Sequence, residues 1–228
     1  MSTPTLLLIG SGPGLGLAIS KCFASKKFSK VALISRDATR LSSEKTAIET
    51  AVTSKKVEIK TWSVDIVESE KFKAVLKEIA EWGNVTCVVF NAARVQPSKL
   101  LEESEEEILK DFMVTNIAAY TTAQWAMPIL SKVPMDQKPS FLVTSSLLWK
   151  YPYPAFFSLS MVKASQRILV QSLGLSFPDV HCALLNVGGQ VSEEDKFYNP
   201  TAIAENFWDL YDQEKEAWTL DLDVLAPQ

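Results

Sequence analysis

The stretch Thr5-Leu6-Leu7-Leu8-Ile9-Gly10-Ser11-Gly12-Pro13-Gly14-Leu15-Gly16 decides how this chain folds. Its first five residues form an apolar run of strand length, too short for an ordinary helix. A run without polar alternation marks a strand covered on both faces. The glycines follow at once, and then Leu15, Ala18, Ile19, Cys22 and Phe23 recur at helical spacing. A glycine-rich turn between a strand and a helix suits a phosphate. The backbone can approach the anion closely, and the helix start offers unpaired N–H groups and the positive end of its dipole.

The same rhythm continues outward. Val31–Ser35, Val57–Val64, Cys87–Phe90, Phe141–Thr144 and Cys182–Leu185 are further strand-like runs, and Trp218–Val224 alternates like a closing edge strand. Between them, Phe72, Val75, Leu76, Ile79 and Trp82 share one helix face. Ser104 with Glu107 forms a capping box that opens a long helix towards Met127, and Pro200 suits the first turn of a late helix. Strands alternating with helices imply right-handed crossovers and an α/β, Rossmann-type, doubly wound parallel sheet with helices on both faces. No repeat, low-complexity stretch or Gly/Ser linker divides the chain, so residues 1–228 are expected to form a single domain.

With 228 residues, 47% of them hydrophobic, the chain can bury one substantial core. A net charge of −4 with dispersed basic residues argues against a nucleic-acid or anionic-membrane surface. Cys22, Cys87 and Cys182 are unpatterned and the only histidine is His181, so no metal site is expected. They read as buried thiols in a reducing compartment. The start of the chain lacks a basic segment, and Thr5–Ile9 is too short for a signal core or a membrane span. A cytoplasmic location is therefore expected.

The spacing Gly10, Gly14, Gly16 resembles the glycine-xxx-glycine-x-glycine fingerprint of the short-chain dehydrogenase/reductase family, with Ile9 where a threonine often stands. The resemblance runs in register from Thr5 to about Val224. It implies that Gly10, Ser11, Gly14, Leu15 and Gly16 cradle a dinucleotide pyrophosphate. Asp65-Ile66 looks like the pair flanking the adenine. Asn91-Ala92-Ala93, preceded by Phe90, is similar to the family's Asn-Asn-Ala-Gly. Asn186-Val187-Gly188-Gly189 resembles the segment beside the nicotinamide, with Val187 in place of proline; Gly188 and Val191 are the residues this puts against the cofactor. Arg36, at the end of the second strand, matches the basic position of members that prefer NADP. A guanidinium suits a 2′-phosphate through paired, charge-assisted hydrogen bonds. NADP(H) is thus expected over NAD(H), although Arg36 could simply pair with Asp37.

The resemblance also sets Asn116, Ser146 and Lys163 on the family's catalytic asparagine, serine and lysine. The family's tyrosine falls on Leu159, which cannot move a proton. Losing a positioned general acid costs on the order of 10²–10⁴ in rate. Tyr153, or Tyr151, on the stiff loop Lys150-Tyr151-Pro152-Tyr153-Pro154 is one candidate replacement. A C=N or activated C=C substrate, which needs no proton at that point, is a second way out. Trp149, Tyr151, Tyr153, Phe156 and Phe157 suggest a pocket for a small cyclic or aromatic molecule, or else a subunit face. The leading expectation is hydride transfer with such a substrate by a homodimer or homotetramer. The alternatives are a non-redox isomerase or cyclase, a ligand-binding protein, and a nucleotide-sensing regulator.

Overall fold

The computed structural model describes residues 3–227, so the extreme ends of the expected 1–228 domain lie outside the described residues. Seven strands, β1 (Pro4–Ile9), β2 (Lys30–Ser35), β3 (Glu58–Ser63), β4 (Asn84–Phe90), β5 (Ser140–Ser146), β6 (His181–Val187) and β7 (Asp221–Val224), pair in parallel. They form one sheet in the order β3-β2-β1-β4-β5-β6-β7.

Successive strand side chains point to opposite faces, and β1 uses both. Leu6 and Leu8 join Phe23, Leu41, Ile48 and Phe207, contributed by α1 (Leu15–Lys26), α2 (Ala38–Ala51) and α7 (Pro200–Asp212). Leu7 and Ile9 join Phe72, Met127 and Val170 on the other face, from α3 (Ser69–Trp82), α5 (Ala118–Leu130) and α6 (Phe157–Ser176). Each such fully buried side chain contributes about 1.5–3 kcal/mol, which is why β1 carries no polar alternation.

Strands β2 and β3 run away from β1 on one side, and β4 to β7 on the other. The connections leaving β1 and β4 therefore diverge, opening a crevice at the carboxyl ends of these two strands.

The long helix expected from Ser104 is a continuous helical run, but it is not uniform. After α4 (Glu105–Phe112) the backbone makes a π-helical turn over Met113–Ile117 before α5 begins. The capping box is half made. The Ser104 hydroxyl accepts from the Glu107 N–H at 3.2 Å, but the Glu107 carboxylate turns to Arg94 at 2.7 Å and Lys110 at 2.8 Å. Two cations outcompete a neutral amide for it. Pro200 does take the first turn of α7, beneath Asn199, whose side chain accepts from the Ala202 N–H. The edge strand is shorter than its alternation suggests: Trp218 lies flat on His181, with ring centroids 4.8 Å apart, and pairing begins only at Asp221.

Candidate functional site

The crevice between β1 and β4 holds a groove of about 770 Å³, lined by Gly10, Ser11, Arg36, Asp65, Ile66, Asn91, Ala92 and Ala93, among others. At its floor Gly10 adopts φ +88°, and a Cβ there would meet the Ala92 backbone at 2.6 Å. Glycine is thus required by both conformation and space. A Cβ on Gly16 would press on the Gly10 carbonyl at 3.0 Å, whereas one on Gly12 or Gly14 would meet nothing within 4 Å. Open space above these two glycines is the room a phosphate needs. Gly14 caps α1 without any side-chain hydrogen bond, leaving the helix start for an anion, and Leu15 begins the helix.

Arg36 does not pair with Asp37. Asp37 is the N-cap of α2, accepting from the Arg40 N–H at 2.9 Å. Arg36 is 73% exposed, and among the described residues its one ion pair is with Asp65, at the long distance of 4.0 Å. Its guanidinium stands at the groove with most of its donors unspent.

A chain of hydrogen bonds joins the glycine-rich turn to α6. The Asn91 amide donates to the Gly10 carbonyl at 2.9 Å and accepts from the Thr144 hydroxyl at 2.7 Å. The Thr144 carbonyl accepts from the Lys163 ammonium at 2.8 Å. Lys163 is only 4% exposed, and burial lowers its pKa to about 7. Its second acceptor is the side-chain carbonyl of Gln166 at 2.9 Å, while the Gln166 amide donates to the Thr115 carbonyl in the π turn. The neighbouring Asn116 donates to the Val162 carbonyl at 3.0 Å, and its own side-chain oxygen is buried without a partner among the described residues. The π turn thus packs Thr115 and Asn116 against α6 beside Lys163.

Ser146 lies two residues beyond Thr144, on the same face of β5. Its hydroxyl accepts from the Leu148 N–H at 3.2 Å, capping a short 3₁₀ turn. Leu159, one helical turn before Lys163, is 5% exposed. Its flanking serines are otherwise engaged. Ser158 donates to the buried carboxylate of Asp111 at 2.6 Å, and Ser160 to the Phe156 carbonyl. Asp111 in turn faces Arg94 at 3.2 Å.

Several expected residues stand apart from the groove. Tyr153 is 57% exposed and stacks on Phe156, and no hydrogen bond joins it to Ser146 or Lys163 among the described residues. Pro152 and Pro154 hold that loop outward, and Tyr151 is exposed as well. The aromatic residues therefore do not form one wall: Trp149 lies under the Arg167 guanidinium, 4.3 Å from its ring. The groove's lining does not include Gly188 or Val191, nor Gly14, Leu15, Gly16, Asn116, Ser146 or Lys163. The Gly188 N–H extends the β6–β7 pairing to Val224, and a Cβ on it would strike the Val224 carbonyl at 2.8 Å.

Glu44 and Gln166 carry no motif, yet both touch expected site residues. Glu44 hydrogen-bonds the Ser11 hydroxyl. Its trace in the sequence is a carboxylate at the middle position of the otherwise apolar spacing Leu41, Glu44, Ile48.

The sheet order and the glycine-rich turn between β1 and α1 define a Rossmann-type α/β fold. The family model for short chain dehydrogenase matches residues 4–188, and the chain belongs to that family. A short chain dehydrogenase/reductase from Claviceps purpurea (strain 20.1) is 26% identical over 166 residues, 72% of this chain. That match covers 54% of the relative, so the chain spans about half the length of the curated protein it resembles. Among solved structures, an alcohol dehydrogenase from the archaeon Thermococcus sibiricus, complexed with 5-hydroxy-NADP, has a TM-score of 0.85 at 23% identity, covering 99% of each chain. The NADPH-bound short chain oxidoreductase from Pseudomonas aeruginosa PAO1, described as containing an atypical catalytic center, has a TM-score of 0.85 at 17% identity. It covers 96% of this chain and 94% of its own. At these identities the likeness is one of fold. Among the described residues no helix is long and apolar enough to cross a membrane.

Proposed function

We propose that this chain binds NADP(H), in preference to NAD(H), and transfers hydride to or from a small cyclic or aromatic organic substrate. The observation that carries the reading is the pairing of an enclosed Lys163, 4% exposed, with an apolar Leu159 one turn earlier, 5% exposed. A lysine suited to the cofactor is retained where the proton-donating side chain is not. The groove fits a dinucleotide because its glycines leave phosphate-sized space at an uncapped helix start and Arg36 keeps donors for a 2′-phosphate.

When bound, the nicotinamide supplies or accepts the hydride. Lys163 holds its ribose, Asn116 and Gln166 fix the helix and ammonium around it, and Ser146 orients the substrate. Leu159 makes the reacting end apolar. Such a site favours an iminium carbon, which becomes a neutral amine on taking hydride, or an activated C=C bond, whose enolate takes a proton from water at carbon; neither leaves an alkoxide to protonate beside Ser146. Tyr153, exposed on its loop, is left outside this set. The buried free thiols accord with a reducing, cytoplasmic setting.

A homodimer is part of the same reading. Leu109, Phe112, Met113, Ile117 and Tyr120 are exposed apolar residues along α4, the π turn and α5, and Met161, Ile168 and Leu175 are exposed every seventh residue along α6. Facing helices of a second copy would cover both stripes.

The test is NADPH oxidation with matched iminium, enone and ketone substrates. Turnover of the iminium or enone, with ketone reduction slower by about 10² or more, is the expected result. Ketone reduction at an equal rate would remove Leu159 from the argument. Tight NADPH binding without turnover of any substrate would favour the non-redox or sensing alternatives.

A further inference from the structure

The glycine-rich turn has a neighbour with no counterpart in the mechanism above. Glu44 is 3% exposed and shares the buried face of α2 with Leu41 and Ile48. One of its carboxyl oxygens accepts from the Ser11 hydroxyl. The other is enclosed and has no hydrogen-bond partner among the described residues. Ser11 itself lines the groove.

A hydroxyl has one proton to donate. While Glu44 is ionised, that proton is committed to the carboxylate, and Ser11 can show the groove only lone pairs. An incoming phosphate would then meet an acceptor in front and a buried negative charge behind. We propose that Ser11 and Glu44 form a proton-linked phosphate contact. Protonated Glu44 donates to the Ser11 oxygen, and Ser11 redirects its own proton to a phosphate oxygen of the dinucleotide. Up to one proton is taken from solvent onto Glu44 for each cofactor bound, and the same amount is released when it leaves.

The surroundings support this exchange. Burial raises the Glu44 pKa above the ordinary carboxylate value, against the opposing Ser11 hydrogen bond and the charge of Arg40, with Asp37 adding to the rise. Arg40 and Asp37 both belong to the start of α2. The glycine-rich turn and the first part of α1, packed against α2, carry no ionisable side chain before Lys21. No second cation from those elements holds Glu44 in its charged form.

This inference rests on the dinucleotide reading of the groove, and the experiment separates the two. NADPH binding is measured by calorimetry between about pH 6 and pH 8.5 in buffers of different ionisation enthalpy, for the wild type, Glu44→Gln and Ser11→Ala. The wild type should take up protons and lose affinity as pH rises, by at most about tenfold per pH unit, the limit for one linked proton. Glu44→Gln carries an uncharged amide that can donate to Ser11 at every pH. It should bind at least as tightly as the wild type at the high-pH end, with the extra pH dependence gone. Ser11→Ala should bind several-fold more weakly at low pH and keep only the smaller pH dependence that repulsion between Glu44 and the phosphate produces. Titration of the ligand's own phosphate is common to all three proteins and cancels in the comparison. Identical proton uptake in the wild type and Glu44→Gln, with both binding NADPH, overturns the proton link alone. No NADPH binding by the wild type at any pH overturns the dinucleotide reading and this inference with it.

Discussion

Lys163 shows how far one side chain can be read from its neighbours. Helical spacing places it on the same face as Leu159, but only its enclosure lowers its pKa to about 7. The folded value lies below the unfolded one, so the cost of burying the charge is fully present below about pH 7. It is relieved as pH rises, because the unfolded state then binds more protons. The wild type should therefore gain up to about 1.4 kcal/mol of stability per pH unit between pH 7 and about pH 8.5, below the range where unfolded cysteines ionise freely. Lys163→Met should lack this increment in denaturant melts at the same pH values. Lys27, whose pKa burial also lowers, is common to both proteins and leaves the difference unaffected. Arg36 is the other residue whose environment makes a prediction. Its ion pair with Asp65, at 4.0 Å, is too long and exposed to hold it. Arg36→Ala should cut the preference for NADPH over NADH by about tenfold or more, the loss of one charge-assisted contact, with NADH affinity little changed. An unaltered ratio of dissociation constants would assign the 2′-phosphate to another residue, with Arg40 the first candidate in the groove lining.

Among the elements, the helices divide into those the sequence announces and those that packing reshapes. α7 is announced by Asn199 and Pro200, a side-chain cap followed by a residue with no N–H to lose. Asn199→Ala should cost about 1 kcal/mol and lower the melting temperature by a few degrees, without changing NADPH affinity. The π turn over Met113–Ile117 was not legible in the same way, since Met113-Val114-Thr115-Asn116-Ile117 contains no glycine or proline to mark it. It turns Thr115 and Asn116 towards α6, where they meet Gln166 and the Val162 carbonyl. The contacts that stabilise it lie about fifty residues away in sequence, beyond the reach of any local pattern. Glu107 likewise leaves its local capping role for Arg94 and Lys110.

At the scale of the molecule, the sheet order brings Gly10, Ser11, Arg36, Asp65, Ile66 and Asn91 to one crevice. It also leaves two apolar helix stripes exposed on adjoining helices. Ile168 is 61% exposed in the middle of the α6 stripe. Ile168→Glu should convert a dimer to a monomer in light scattering while leaving far-UV dichroism unchanged. A wild type that is already monomeric at micromolar concentration would dismiss the dimer.

The strands, their parallel order and the glycine-rich turn followed from the sequence alone, because they rest on local periodicity and on the conformational freedom of Gly10. The expectation that the family's tyrosine falls on Leu159 came from the same reading of the sequence. The tertiary structure decided what surrounds those residues. It left Arg36 unspent, drew Lys163 into a chain of hydrogen bonds reaching Gly10, exposed Tyr153, and set Glu44 behind Ser11. Each outcome depends on which distant groups share a buried space and compete for the same donors and acceptors, and burial of that kind exists only once the sheet has closed.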